Sequence, residues 1–171
     1  MIRMAAGALL ALALSTPMAG AEFARSSQTQ DRTAGVGLSA ILTRTLTRQL
    51  RRDLGYCQTV VLDYSFDCVK YAFRSASEIV DGNPAYRTAQ AGFDQTARQI
   101  KGMVQAETDR SRLPKLRGFQ IYYPVNPEAA PAVEREMTAA ISALETQLRS
   151  APEQVGSDYQ QIADAVRQTA P

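Results

Sequence analysis

Residues 56–68 read YCQTVVLDYSFDC and hold both cysteines of the chain, Cys57 and Cys68. On one continuous helix the two cysteines would lie about 16 Å apart, because each residue advances a helix by about 1.5 Å. A disulfide needs Cα atoms within about 7 Å of each other, so bonding requires the chain to reverse inside this stretch. Asp63 or Ser65 could cap the helix that follows. The stretch therefore predicts two helices joined by a disulfide-tied turn.

The first 21 residues have the three parts of a secretory signal peptide. Arg3 supplies the positive start, residues 5–14 form an apolar run, and Ala19-Gly20-Ala21 is an A-x-A cleavage site. The apolar run is shorter than the about 20 residues that cross a bilayer as a helix. We therefore predict cleavage before Glu22, export to the periplasm or cell exterior, and no transmembrane segment in the mature chain.

Export decides how the cysteines are interpreted. A cysteine pair in an oxidising compartment is typically a disulfide, and this spacing fits neither a C-x-x-C redox centre nor a zinc pair. The alternative is two buried free thiols. The chain has no histidine, which removes Ser-His-Asp and Cys-His nucleophiles and histidine metal sites. We predict a Cys57–Cys68 disulfide, no cofactor and no metal.

Apolar residues recur at helical spacing through most of the remaining chain. The motif Asp81-Gly82-Asn83-Pro84 matches a helix end followed at once by a helix start, and it predicts a tight hairpin of two antiparallel helices. Residues 22–37 are polar and small, typical of a flexible tail, so residues 38–171 are predicted to form a single helical-bundle domain. The predicted helices cover residues 38–54, 65–80, 84–110 and 131–149, with a fifth after Glu153.

Two short segments favour β-structure instead. Residues 59–62 are rich in β-branched side chains, which suit a short strand or a buried extended loop, and residues 119–123 alternate in the period of a strand. The two segments are hypothesised to pair; the alternative for the second is a proline-rich crossover laid over the end of the bundle. The predicted fold is an all-α bundle of four to five helices, with a disulfide-tied connection between the first two and an optional two-stranded β element.

Two groups of side chains are candidates for binding. One is an arginine face on the first helix, which suits either plain solvation or contact with phospholipid, polysaccharide or an acidic partner. The other is a set of tyrosines near the two breaks in the helical pattern, which suit partner contacts or packing at the bundle ends. The arginines are Arg44, Arg48, Arg51 and Arg52, and the tyrosines are Tyr56, Tyr64, Tyr122 and Tyr123.

Charge is unevenly spread along the chain. The totals of 19 basic and 17 acidic residues are nearly balanced, which argues against a dedicated nucleic-acid binder. Residues 25–54 and 98–118 each hold six basic and two acidic residues, whereas residues 127–171 hold three basic and seven acidic ones. This pattern indicates either attraction within the bundle or a dipolar surface that orients a partner.

The leading functional hypothesis is an exported, non-catalytic binding or structural module that acts through contacts with another envelope or secreted protein. Two observations motivate it. The helices have complete apolar packing patterns, and the sequence lacks the residue combinations that form known catalytic sites. A first alternative is a small envelope hydrolase or lyase that uses carboxylates and tyrosine. A second is a periplasmic chaperone, or a binder of anionic phospholipid or glycan, that uses the arginine face.

Overall fold

The computed structural model describes residues 38–151 and 156–168. The predicted all-α fold is confirmed; the predicted signal peptide and tail lie outside the described residues. Within the described ranges the chain forms five α-helices and one β-hairpin. They are α1 (Ala40–Cys57), α2 (Leu62–Ile79), α3 (Arg87–Ala106), β1 (Lys115–Arg117), β2 (Gln120–Tyr122), α4 (Ala130–Arg149) and α5 (Gly156–Arg167).

The helices pack in a closed circuit around one core. Helix α2 lies against α1 and α3, α4 lies between α3 and α5, and α5 returns to α1. Each helix turns its apolar stripe inward, as the 3.6-residue period requires. Between α2 and α3 the fully buried rings of Phe73 and Phe93 stack with centroids 6.3 Å apart. This packing fixes the relative positions of α2 and α3, which matters for the surface between them.

The turn between α1 and α2 holds the predicted disulfide. Cys57 and Cys68 are bonded, with Cα atoms 5.6 Å apart. The prediction of a strand over residues 59–62 is wrong, because only residues 58–61 separate the two helices and hydrogen-bonded turns occupy them. Helix α2 begins at Leu62 without a side-chain cap, so the predicted capping by Asp63 or Ser65 is also wrong. Asp63 instead lies in the first turn, where its charge suits the helix dipole.

The predicted turn between α2 and α3 is confirmed. Gly82 has a φ of +73°, a left-handed conformation that suits glycine. The side chain of Asn83 accepts a hydrogen bond from the Ala85 N–H at 3.0 Å, and Pro84 opens a short 3₁₀ turn that leads into α3. The two helices are therefore neighbours joined by a tight corner.

The β element is a local hairpin. Strands β1 and β2 pair antiparallel, with Leu116 opposite Ile121, so the hypothesis that residues 119–123 pair with residues 59–62 is wrong. Gly118 begins the two-residue loop with a φ of +56°, as tight hairpin turns require. A bridge between Thr108 and Val125 closes the base of this segment. Because of that bridge, α3 stops short of its predicted end.

Tyr86 ties the start of α3 to the start of α1. Its ring is fully buried, and its hydroxyl donates to Ser39 O and accepts from Ser39 N–H, each at 3.0 Å, while Thr43 Oγ1 lies 2.7 Å away. Tyr86→Phe would leave these groups without their partner, so we expect urea unfolding to show a loss of about 1–3 kcal/mol. Tyr123→Phe, at an exposed ring, is the control and should change little. Equal losses in both variants would contradict the role of the Tyr86 hydroxyl.

Candidate functional site: a cationic groove

An open groove of about 780 Å³ lies between α2 and α3 and ends at the crossover after α3. Positively charged side chains dominate its walls. Residues three or four apart lie on the same face of a helix, so each helix contributes a pair of cations to the groove. The groove cations are Lys70 and Arg74 from α2, Arg98 and Lys101 from α3, and Arg110 from the crossover.

The floor of the groove is apolar and its edge is aromatic. Ala97 and Val104 are buried beneath the charged groups, and Tyr71 and Tyr123 line the side next to the hairpin. The Lys70 ammonium lies 4.1 Å from the centroid of the Tyr71 ring, and the Tyr71 hydroxyl donates to Ile121 O at 3.2 Å. The hairpin is thereby fastened to the wall of the groove.

Two carboxylates, Asp67 and Asp94, also line the groove. Asp67 is buried, lies 2.6 Å from the Lys70 ammonium, and accepts a hydrogen bond from the Tyr123 N–H at 3.1 Å. Asp67 lies beyond the first turn of α2, and it anchors the end of the hairpin. Its oxygens are committed to internal contacts, which leaves Asp94 as the only lining carboxylate without such partners among the described residues.

Most of the groove cations are available to a ligand. Arg74 pairs with Glu78 at 3.1 Å, but both side chains are exposed, and exposed pairs contribute little. Within residues 38–151 and 156–168, no ion pair engages Arg98, Lys101 or Arg110. A negatively charged ligand would therefore meet side chains that need not first break an internal bond.

The predicted arginine face lies elsewhere. All four of its arginines are exposed on α1, and none lines the groove. Arg52 has partners inside the chain: it donates to Gln49 and lies 3.7 Å from the Asp53 carboxylate. A binding role for this face stays a prediction.

The predicted tyrosines are divided among three places. Tyr123 lines the groove, and Tyr64 is buried with its hydroxyl donating to Leu113 O at 2.9 Å. Tyr56 and Tyr122 line a smaller cavity of about 120 Å³ beside the disulfide. Burial raises the pKa of Tyr122, whose hydroxyl donates to the Gln120 side chain at 2.6 Å. Of the four predicted tyrosines, Tyr123 alone lines the groove.

None of the five groove cations is among the residues predicted from the sequence. One signal did point toward them, because the basic segment 98–118 contains Arg98, Lys101 and Arg110. Comparisons with models of protein families, with curated proteins and with solved structures find no match to this chain. Among the described helices, none combines the length and the apolar character needed to span a membrane.

Proposed function

We propose that the protein is an exported, non-catalytic binding module that holds an acidic segment of a partner protein in the groove between α2 and α3. The observation that carries the proposal is the convergence of five cations on one surface. The groove is lined by two carboxylates, and one of them is already paired with Lys70. Such an arrangement creates a positive potential that attracts and orients an acidic partner.

The shape of the groove favours a linear ligand over a compact anion. On α3 the lining residues run from Asp94 to Gln105, a length of about 16 Å at 1.5 Å per residue. An extended segment of about five residues covers that distance at about 3.3 Å each. Tyr71 and Tyr123 add the aromatic contact surface that protein interfaces favour.

The disulfide supports the location. Disulfides persist in oxidising compartments and are rare in reducing ones, so the Cys57–Cys68 bond fits a protein outside the cytoplasm. Together with the signal peptide predicted over residues 1–21, it favours the periplasm or the cell exterior.

The hydrolase or lyase alternative receives less support from the groove. Carboxylate catalysis needs an acid–base pair facing a common substrate position. Asp67 and Asp94 are the lining carboxylates, and the oxygens of Asp67 already accept from Lys70 and from the Tyr123 backbone. A structural role accounts for these contacts.

Charge reversal in the groove tests the proposal. We expect Arg98→Glu with Lys101→Glu to weaken binding of a fluorescein-labelled oligoglutamate peptide at least about tenfold in fluorescence anisotropy, because like charges then face the peptide. The matched control, Arg44→Glu with Arg48→Glu, makes the same charge change on α1 and should alter the dissociation constant within about twofold once salt screens distant charges.

Three outcomes would contradict the proposal. The first is an absence of peptide binding to the unaltered protein. The second is an equal loss in both double variants, which would assign binding to diffuse charge or to the arginine face. The third is tight binding of heparin at the groove together with no binding of the peptide, which would assign the site to an anionic polysaccharide.

A further inference from the structure

The hairpin carries the most exposed large apolar side chains of the described residues. Phe119 is fully exposed, and Leu113 and Leu116 are 85% and 76% exposed. Leu116 lies opposite Ile121 in the register, so both point to the same side of the hairpin, while the neighbouring Tyr122 is buried against the helices. The hairpin therefore has an inner face that packs and an outer apolar face, with Phe119 in the loop, that nothing covers among the described residues.

The segment that carries this apolar surface is basic. Residues 110–123 contain no acidic residue and four basic ones, Arg110, Arg112, Lys115 and Arg117. Three of these charges lie over tyrosine rings of the bundle, and one of the three, Arg112, is also ion-paired with Asp63. The Lys115 ammonium lies 4.3 Å from the centroid of Tyr64, and the Arg117 guanidinium lies 3.2 Å from that of Tyr56. The apolar side chains thus project beyond the positive charges.

We propose that the hairpin inserts Leu116 and Phe119 into the surface of an anionic phospholipid bilayer. Its three-residue strands are about 10 Å long at 3.3 Å per residue, which fits the 5–10 Å to which interfacial elements enter the boundary between headgroups and acyl chains. The cations behind the tip then lie at the level of the negative headgroups.

A protein strand is a poorer occupant than a bilayer. Strand addition needs a row of free backbone groups along an edge. Each strand of the hairpin has three residues, Pro114 precedes β1, and Pro124 follows β2 by two residues. Proline has no N–H to donate, and such short edges resist pairing with another chain. The charge and the exposed apolar side chains therefore favour the lipid surface.

The absence of tryptophan from the chain makes insertion directly measurable. Phe119→Trp places a single fluorophore at the tip, and Ile41→Trp places one at another exposed apolar position, on α1. The protein recovered after export is mixed with vesicles of phosphatidylglycerol and phosphatidylethanolamine, or of phosphatidylcholine alone. We expect the tip fluorophore to shift to shorter wavelength, and to be quenched by lipids brominated on the acyl chain, with the anionic vesicles only. The α1 fluorophore should show neither change.

Leu116→Ser with Phe119→Ser should weaken vesicle binding at least about tenfold, because each apolar side chain removed from water contributes about that much to the affinity. Oligoglutamate binding to the groove should be unchanged, which separates this proposal from the previous one. Three results would overturn membrane insertion: no shift of the tip fluorophore with any vesicle, equal shifts with both vesicle types, or a dimer in sedimentation that the serine substitutions dissociate. The last result would identify a second copy of the chain as the occupant.

Discussion

Asp67→Ala is expected to lower the free energy of unfolding by about 3 kcal/mol, because it removes the carboxylate from a buried ion pair. The side chain of Asp67 is 1% exposed and that of Lys70 is 14% exposed. The ammonium can therefore regain only part of its hydration, and the Tyr123 N–H loses its acceptor as well. Urea denaturation followed by circular dichroism at 222 nm measures the loss, because most of the described chain is helical.

Two further substitutions separate the contributions at this position. Asp94→Ala removes a half-buried carboxylate from the same groove and should cost less than about 0.5 kcal/mol. Asp67→Asn keeps an acceptor for the Tyr123 N–H but not the charge, so its loss should be intermediate. If Asp67→Ala and Asp94→Ala prove equally mild, Asp67 is not the anchor that the geometry indicates.

Loss of the Cys57–Cys68 bond is expected to cost about 3 kcal/mol, because the disulfide restricts the unfolded chain across a short loop. Cys57→Ala with Cys68→Ala avoids placing new polar groups at positions that are 2% and 3% exposed. Its urea midpoint should fall to that of the unaltered protein treated with dithiothreitol.

The double alanine variant is also its own control, since reductant should leave its midpoint unchanged. Equal midpoints for the oxidised and the reduced unaltered protein would refute a stabilising role for the bond. Mass spectrometry under non-reducing conditions provides a separate check, in which two free thiols would exclude the disulfide itself.

Much of the helical architecture could be predicted from the sequence, because each helix has an apolar stripe at the period of its own geometry. The turn at Gly82 and Asn83 could also be predicted from the sequence, because a left-handed φ favours glycine and helix capping favours asparagine. Strand β1 could not be predicted from the sequence. All three residues of β1 are exposed, so no alternation between buried and exposed positions marks Lys115 to Arg117 as a strand.

The groove could not be predicted because its two walls are distant in sequence. Spacing alone places Lys70 and Arg74 on one helix face, and Arg98 and Lys101 on another. Only the packing of α2 against α3 decides that these faces border the same groove. The arginines of α1 are more conspicuous in the sequence because they are close together, but closeness along one helix does not create a concave site.

The position of Asp67 makes the groove and the hairpin thermodynamically linked. One carboxylate bonds both to a groove cation and to the backbone at the end of β2. A ligand that attracts the Lys70 ammonium competes with Asp67 for that charge, and so changes the electrostatic balance at the foot of the hairpin. Linkage is reciprocal. The factor by which a groove ligand changes the affinity of the hairpin for its partner is also the factor by which that partner changes the affinity of the groove for its ligand.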